Sequence, residues 1–210
     1  MKKIAAILYH SGYALTDYYD KYGKGDDLSL FIIAMTKVPP AEYSQKVSLL
    51  IDGWLSWIMK ELSSIKVKFD IVIRAFGHDE LEYVYEKPMS VLALKLAKEL
   101  GAENRVDLIK KMTRTESQKS LPYDFNVWRR KKNVEGSIIS NVSDEYLRGK
   151  TILVLDDIKT TGSTLQSIAT ALYCNGQSKL YFLALGETTQ TPKSTNIELL
   201  THLKNAMGLP

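Results

Sequence analysis

The residues that could do chemistry are concentrated in one short stretch. Ile152, Leu153, Val154 and Leu155 form a continuous apolar run. It is followed at once by Asp156 and Asp157, then Ile158 and Lys159, then Thr160, Thr161, Gly162, Ser163 and Thr164. The pattern is a buried strand, two carboxylates at its C-terminal end, a hydroxyl-rich turn with glycine, and a helix start. Ligands of open α/β sheets gather outside the carboxyl ends of strands. Successive backbone N–H groups leading into a helix N-terminus form a concave anion site there. The hydroxyls of Thr160, Thr161, Ser163 and Thr164 add donors, and Gly162 lets the backbone approach a ligand closely. Two carboxylates would repel a phosphate directly, so they fit best as acceptors for sugar hydroxyls, directly or through Mg²⁺-bound water. A ribose 5-phosphate satisfies both halves. The plain alternative, a strand–turn–helix with an Asp/Thr cap, does not require hydroxyls, glycine and carboxylates at one strand end.

The elements that must position this stretch alternate along the chain. Residues 3–9 and 28–35 are apolar and rich in strand formers, and they bound a polar segment, 16–27, so the pattern predicts two strands joined by a long excursion. Pro39 and Pro40 break the chain. Val47, Leu50, Ile51, Trp54, Leu55, Ile58 and Leu62 then recur at helical spacing, with Trp54 and Trp57 as packing residues. A short strand is expected over 69–73. A helix is expected over 88–100, with Pro88 in its first turn and Gly101 as its cap. Another strand is expected over 106–109. Residues 115–132 are polar, basic and aperiodic, and read as a loop. A strand over 151–155, a helix over 163–173 and a strand over 180–185 follow, and a polar tail after Thr188 carries a weak helical pattern from 197 to 207. Strands alternating with helices imply right-handed crossovers and a mostly parallel sheet, an α/β fold.

Composition narrows the classes. The chain has 210 residues, of which 45% are apolar and 25% charged, and its net charge is +4. That suits a globular protein with a sizeable core and gives no support for nucleic-acid binding. The only cysteine, Cys174, excludes an internal disulfide and a thiolate metal cluster, and favours a reducing compartment. The apolar run at 4–8 is shorter than a signal-peptide core, and no run reaches the ~20 residues of a membrane span, so a cytoplasmic protein is expected. The triplet Asn141-Val142-Ser143 is then a chance glycosylation match.

The 152–164 stretch resembles the signature of type I phosphoribosyltransferases, which bind 5-phosphoribosyl-1-pyrophosphate (PRPP). Lys159 stands where that signature commonly has an aliphatic or aromatic residue. Upstream, the run Arg114-Thr115-Glu116-Ser117-Gln118 and the run Arg130-Lys131-Lys132-Asn133-Val134-Glu135-Gly136 are similar to the competence-protein F (ComF) branch of that family. Alone, the basic residues 129–132 read as a solvated surface run. The resemblance implies that Arg114, Thr115, Gln118 and Arg130 belong to a lid that closes over pyrophosphate. It also implies that the strand end at Arg74, Ala75, Phe76 and Gly77 offers pyrophosphate contacts, with Arg74 and Ala75 as candidates. His78 beside it reads as an exposed histidine rather than an acid–base group.

The likeness spans about 69–186. With one cysteine the chain lacks the zinc ribbon that often begins ComF proteins. The implied organisation is an N-terminal hood over 1–66, a phosphoribosyltransferase-like core over 67–190 and a tail over 191–210. The implied activity is Mg²⁺-dependent transfer of a 5-phosphoribosyl group from PRPP to a nitrogen acceptor of purine or pyrimidine type. Asp156, Asp157 and Arg114 would serve catalysis, residues 160–164 would hold the 5-phosphate, and Mg²⁺ would be held mainly by PRPP and water, with Asp156 and Asp157 near it. The partners are PRPP and the small acceptor, and a homodimer is a possible assembly. The competing class is a non-catalytic PRPP or nucleotide sensor, or a ComF-like accessory factor in DNA uptake. A glutamine amidotransferase is disfavoured because Lys2, not cysteine, follows Met1. A PRPP synthetase is disfavoured because no GxxxxGK[ST] loop is present.

Overall fold

The computed structural model describes residues 2–7, 10–18, 26–77, 79–113, 136–173, 178–189 and 196–210. In chain order its elements are β1 (Lys2–Ile7), β2 (His10–Tyr18), α1 (Asp27–Ala34), a 3₁₀ turn (Ala41–Tyr43), α2 (Ser44–Leu62), β3 (Ile71–Arg74), α3 (Pro88–Leu100), β4 (Glu103–Asn104), β5 (Ile109–Lys111), β6 (Ile138–Ser140), α4 (Asp144–Leu147), β7 (Thr151–Lys159), α5 (Ser163–Leu172), β8 (Lys179–Thr188) and α6 (Ile197–Ala206). The main sheet runs β1-β2-β8-β7-β3-β4. Its five strands from β2 to β4 are all parallel, and β1 closes one edge antiparallel to β2. A separate antiparallel pair, β5 with β6, brackets residues 112–137.

Alternation along the strands sends side chains into two cores. Val72, Leu153, Leu155, Leu183 and Leu185 face a cluster built with α1, α2, α3 and α6. Ile71, Ile73, Ile152, Val154 and Phe182 face the other side, where α5 supplies Leu165, Ile168, Ala169 and Leu172. A parallel sheet buried on both faces explains why its central strands read as continuous apolar runs. The fold is α/β, with helices on both faces of a five-stranded parallel sheet, a Rossmann-like layering. Among the described residues no helix is long and apolar enough to cross a membrane.

Several elements match the sequence expectation closely. Helix α3 begins with Pro88 and ends at Gly101, whose φ of +64° is the left-handed conformation a helix cap requires. Others differ. Residues 28–35 are expected as a strand but form α1. Nearly every side chain there is apolar, so periodicity cannot separate strand from helix. The local signal is at the start, where Asp26 Oδ1 accepts a hydrogen bond from Ser29 N–H (2.8 Å) and Asp27 sits in the first turn. Strand β2 is not anticipated. Its mixed sequence is held by pairing on both sides, Lys3 with Tyr13 and Ala14 with Ala184. The strand expected at 106–109 is instead two very short ones, β4 and β5, separated by a turn in which Leu108 N–H donates to Arg105 O (3.0 Å).

Helix α6, faint in the sequence, is integral to the first core. Leu199 and Leu203 are fully buried. A Cβ on Gly53 of α2 would stand 3.0 Å from Ala206 Cβ and 3.1 Å from Leu203 Cδ2, so the missing side chain permits the helices to close. The His202 ring lies against Trp57 (centroids 5.4 Å apart), and its Nε2 is 2.7 Å from Ser56 Oγ and 3.0 Å from Gly53 O. Lys204 pairs with Asp27 of α1 at 3.2 Å. The described parts of 1–66 and 196–210 therefore share one buried cluster with the 67–190 region. Leu203→Ala should lower stability by about 3 kcal/mol in denaturant unfolding. A cost near zero would show that α6 is peripheral.

Candidate functional site

Strand β7 continues past the apolar run, so Asp156 and Asp157 lie within the sheet. Asp156 is opposite Ala184, Ile158 opposite Gly186, and Lys159 opposite Glu187. Each carboxylate accepts from the next backbone N–H: Asp157 N–H to Asp156 Oδ1 (3.0 Å) and Ile158 N–H to Asp157 Oδ1 (2.7 Å). Lys159 forms an ion pair with Glu187 of β8, which accounts for a lysine at this position. The chain then turns through Thr160 and Thr161 to Gly162, whose φ of +78° and ψ of 9° place it in the left-handed region as the N-cap of α5. Thr161 Oγ1 and Ser163 Oγ are 2.7 Å apart, and Ser163 N–H points at Thr161 Oγ1 over 3.4 Å. The first-turn N–H groups of a helix lack intrahelical acceptors. Here they border a shallow hollow that Asp156 also lines. The expected grouping of Thr160, Thr161, Gly162, Ser163 and Thr164 around one concavity is present.

A second, small cleft lies between the ends of β3 and β7, with Asp156 and Asp157 on one wall and residues 74–77 on the other. Thr36, just after α1, and Lys87 also reach it. Asp156 is thus common to both hollows.

Arg74, at the end of β3, is 3% exposed and fully engaged. Its Nε donates to Ser90 Oγ (2.7 Å). Nη1 donates to Ala75 O (2.9 Å) and Glu80 Oε2 (2.7 Å), and Nη2 to Glu80 Oε1 (2.8 Å) and Val84 O (3.3 Å). The guanidinium also lies 4.4 Å from the Tyr83 ring centroid. Ala75 N–H donates to Leu155 O (2.7 Å), continuing the sheet ladder, and the Arg74–Ala75 bond is trans. As the structure stands, the Ala75 N–H and all five Arg74 donors have protein acceptors, two of the latter being the Glu80 oxygens. Arg74 acts as a scaffold for the loop beside it.

The electrostatics are uneven. Asp156 is half-buried and lines both hollows. Burial first, and the adjacent Asp157 second, push it well above the usual carboxylate range. Burial alone would raise Glu80, but the bonds from Arg74, Gly77 N–H and Lys87 outweigh it and hold the carboxyl below its ordinary value. Lys111 ends β5 and is 4% exposed, and its Nζ donates to Gly77 O (2.6 Å). Burial lowers its ammonium to about 8, against the opposing pull of Glu80 and Asp79.

Arg114, Thr115, Gln118, Arg130 and His78 lie outside the described residues. What the structure does show is where the segment carrying Arg114, Thr115, Gln118 and Arg130 attaches. Residues 112–137 connect β5 to β6, and Lys111 at that junction reaches the 74–77 loop. Lys87, Glu80 and Lys111 were not anticipated from the sequence. The signal for Lys111 was a lysine at an inward position of the alternating Ile109-Lys110-Lys111 triplet, buried–exposed–buried. Among the described residues no group of three or more histidine, cysteine or carboxylate ligands could hold a metal ion. The paired carboxylates still suit a dication shared with a ligand's phosphates, since a positive charge would relieve the repulsion that raises Asp156.

No protein-family model matches the chain, and no curated protein sequence matches it.

Proposed function

We propose that the protein is a Mg²⁺-dependent phosphoribosyltransferase of type I, similar to the ComF branch, acting in the cytoplasm on PRPP and a small nitrogenous acceptor. One observation carries the reading. A carboxylate pair at the end of a central parallel strand runs directly into a glycine-hinged anion nest at the start of α5. The same Asp156 faces a second cleft, at the neighbouring strand end, that Lys87 also lines. A ribose held by Asp156 and Asp157 would place its 5-phosphate in the nest and its 1-pyrophosphate toward Lys87, with the buried Lys111 ammonium behind the Gly77 carbonyl. Departure of pyrophosphate leaves positive charge at the anomeric carbon. The carboxylates stabilise that charge, and Lys87 offsets charge on the leaving group. Mg²⁺ bound by pyrophosphate oxygens and water would supply further charge neutralisation. Arg114 and its segment belong to the same reading through the family resemblance, and the 1–66 region contributes Thr36 to the lining of the second cleft.

The test is calorimetric titration with PRPP and Mg²⁺, followed by a pyrophosphate-release assay across a panel of purine and pyrimidine bases. Release with any base supports transfer. PRPP binding without release from any base supports the sensor class, and absence of PRPP binding defeats both.

Lys111 provides a pH signature. Its ammonium loses its proton near pH 8 in the folded protein, so affinity for inorganic pyrophosphate should fall as pH rises from 7 to 9. A Lys111→Met protein should bind more weakly at pH 7 and follow only pyrophosphate's own titration. The unfolded chain keeps this proton to about 10.4. It therefore binds more protons than the fold between those values, and stability should rise with pH across the interval. Parallel pH profiles for the two proteins would remove Lys111 from the anion site.

A further inference from the structure

The second cleft contains a carboxylate, Glu80, that the phosphoribosyl reading gives no role. The Glu80 side chain is 3% exposed, and its carboxylate is surrounded by donors of the kind that bind an oxyanion. Oε2 accepts from Arg74 Nη1 (2.7 Å) and from the Gly77 backbone N–H. Oε1 accepts from Arg74 Nη2 (2.8 Å) and is 3.1 Å from Lys87 Nζ. A Cβ on Gly77 would stand 3.0 Å from Glu80 Oε2 and 3.3 Å from Lys87 Nζ, so carboxylate and ammonium both close tightly on the backbone here. Lys111 reaches the far side of the same residue through Gly77 O. Charge-assisted bonds from two cations and a backbone N–H make a phosphate-shaped donor set. The cluster opens to solvent on one side, where Lys87 is 3.8 Å from Asp79, whose side chain is 67% exposed.

We propose that Glu80 is a displaceable internal counter-anion. Its carboxylate fills the position of a terminal phosphate, and a diphosphate-bearing ligand gains the Gly77 N–H and Lys87 by exchanging with it. Naming the ligand a diphosphate rests on the proposed phosphoribosyl reading, whereas the exchange follows from the donor set. A phosphate brings three acceptor oxygens where the carboxylate has two, and the Mg²⁺-bound form offsets the added charge. Exchange lowers the apparent affinity of the free protein by the fraction of molecules in which Glu80 is in place. It therefore favours ligands that are also anchored at the α5 nest over free anions.

Inorganic pyrophosphate and, separately, ribose 5-phosphate are titrated calorimetrically into the wild-type protein and a Glu80→Gln protein. Glu80→Gln should bind pyrophosphate about tenfold more tightly and ribose 5-phosphate unchanged within about twofold. Because the substitution also disturbs a buried ion pair, a second measurement uses the wild type alone: the Gly77 amide resonance should shift on saturation with pyrophosphate as its acceptor changes. Pyrophosphate binding no tighter in a folded Glu80→Gln protein, or a Gly77 amide that stays in place, overturns the exchange. If neither protein binds ribose 5-phosphate while Glu80→Gln gains pyrophosphate, the phosphoribosyl reading fails and the exchange stands.

Discussion

Gly162→Val should reduce affinity for ribose 5-phosphate and PRPP on the order of a hundredfold while leaving the chain folded. Gly162 has φ +78°, a conformation that a β-branched residue adopts only under strain. The strain, about 1–3 kcal/mol, can be relieved only by swinging the turn, which redirects the N–H groups at the start of α5. The helix itself is anchored by Leu165, Ile168, Ala169 and Leu172, all fully buried, so the damage should stay local. Gly162→Ala should show a smaller loss, because alanine tolerates this region better than valine. Thermal unfolding confirms that the variants fold, and calorimetry reads the affinity. Wild-type affinity in folded Gly162→Val would remove the nest from the site.

The double variant Asp156→Asn, Asp157→Asn should have opposite effects on stability and on sugar binding. Asp156 is raised by burial and by its neighbour, so its ionised form is disfavoured in the fold. The unfolded chain releases this proton near pH 4 and the fold releases it later. Stability therefore declines as pH rises through that interval, and the full penalty is present once both states are ionised. Removing the charges should raise stability at pH 7 by about 1–2 kcal/mol, in the manner of active-site groups that trade stability for function. PRPP and ribose 5-phosphate should bind about a hundredfold more weakly, because amides replace two carboxylate acceptors. Inorganic phosphate should bind as well as before or better, since two negative charges beside the nest have gone. Equal losses for all three ligands, with lower stability, would make the pair structural.

How far the sequence could be read depended on where each signal lay. The 152–164 stretch was legible because strand, carboxylates, glycine and helix are contiguous, and local chemistry fixes the turn. Helix α3 was legible from its cap residues, Pro88 and Gly101. Strand β2 was not, because its hydrogen bonds go to β1 and to β8 and its own sequence has no clean alternation. Helix α1 was misassigned because an almost wholly apolar octapeptide carries no period. The second cleft was the least legible part. Arg74 stood out as a candidate ligand, but its engagement with Glu80, Ser90 and Val84 depends on how the 75–87 loop folds back, which no short motif records. Lys87 and Lys111 come from different elements and meet only at Gly77.

The long-range pairing of the sheet also bears on synthesis. Strand β2 hydrogen-bonds to β8, ~170 residues later, and the apolar face of α2 is covered partly by α6, which follows still later. At roughly 5–20 residues per second, the nascent chain carries the β8-facing edge of β2 and the α6-facing side of α2 uncovered for on the order of ten seconds or more. During that time the unpaired edge of β2 and the Trp54 face of α2 are exposed to neighbouring chains. Yield in a cell should therefore depend strongly on temperature and on chaperone supply. Arrested nascent chains ending before β8 should be far more sensitive to protease than the released protein.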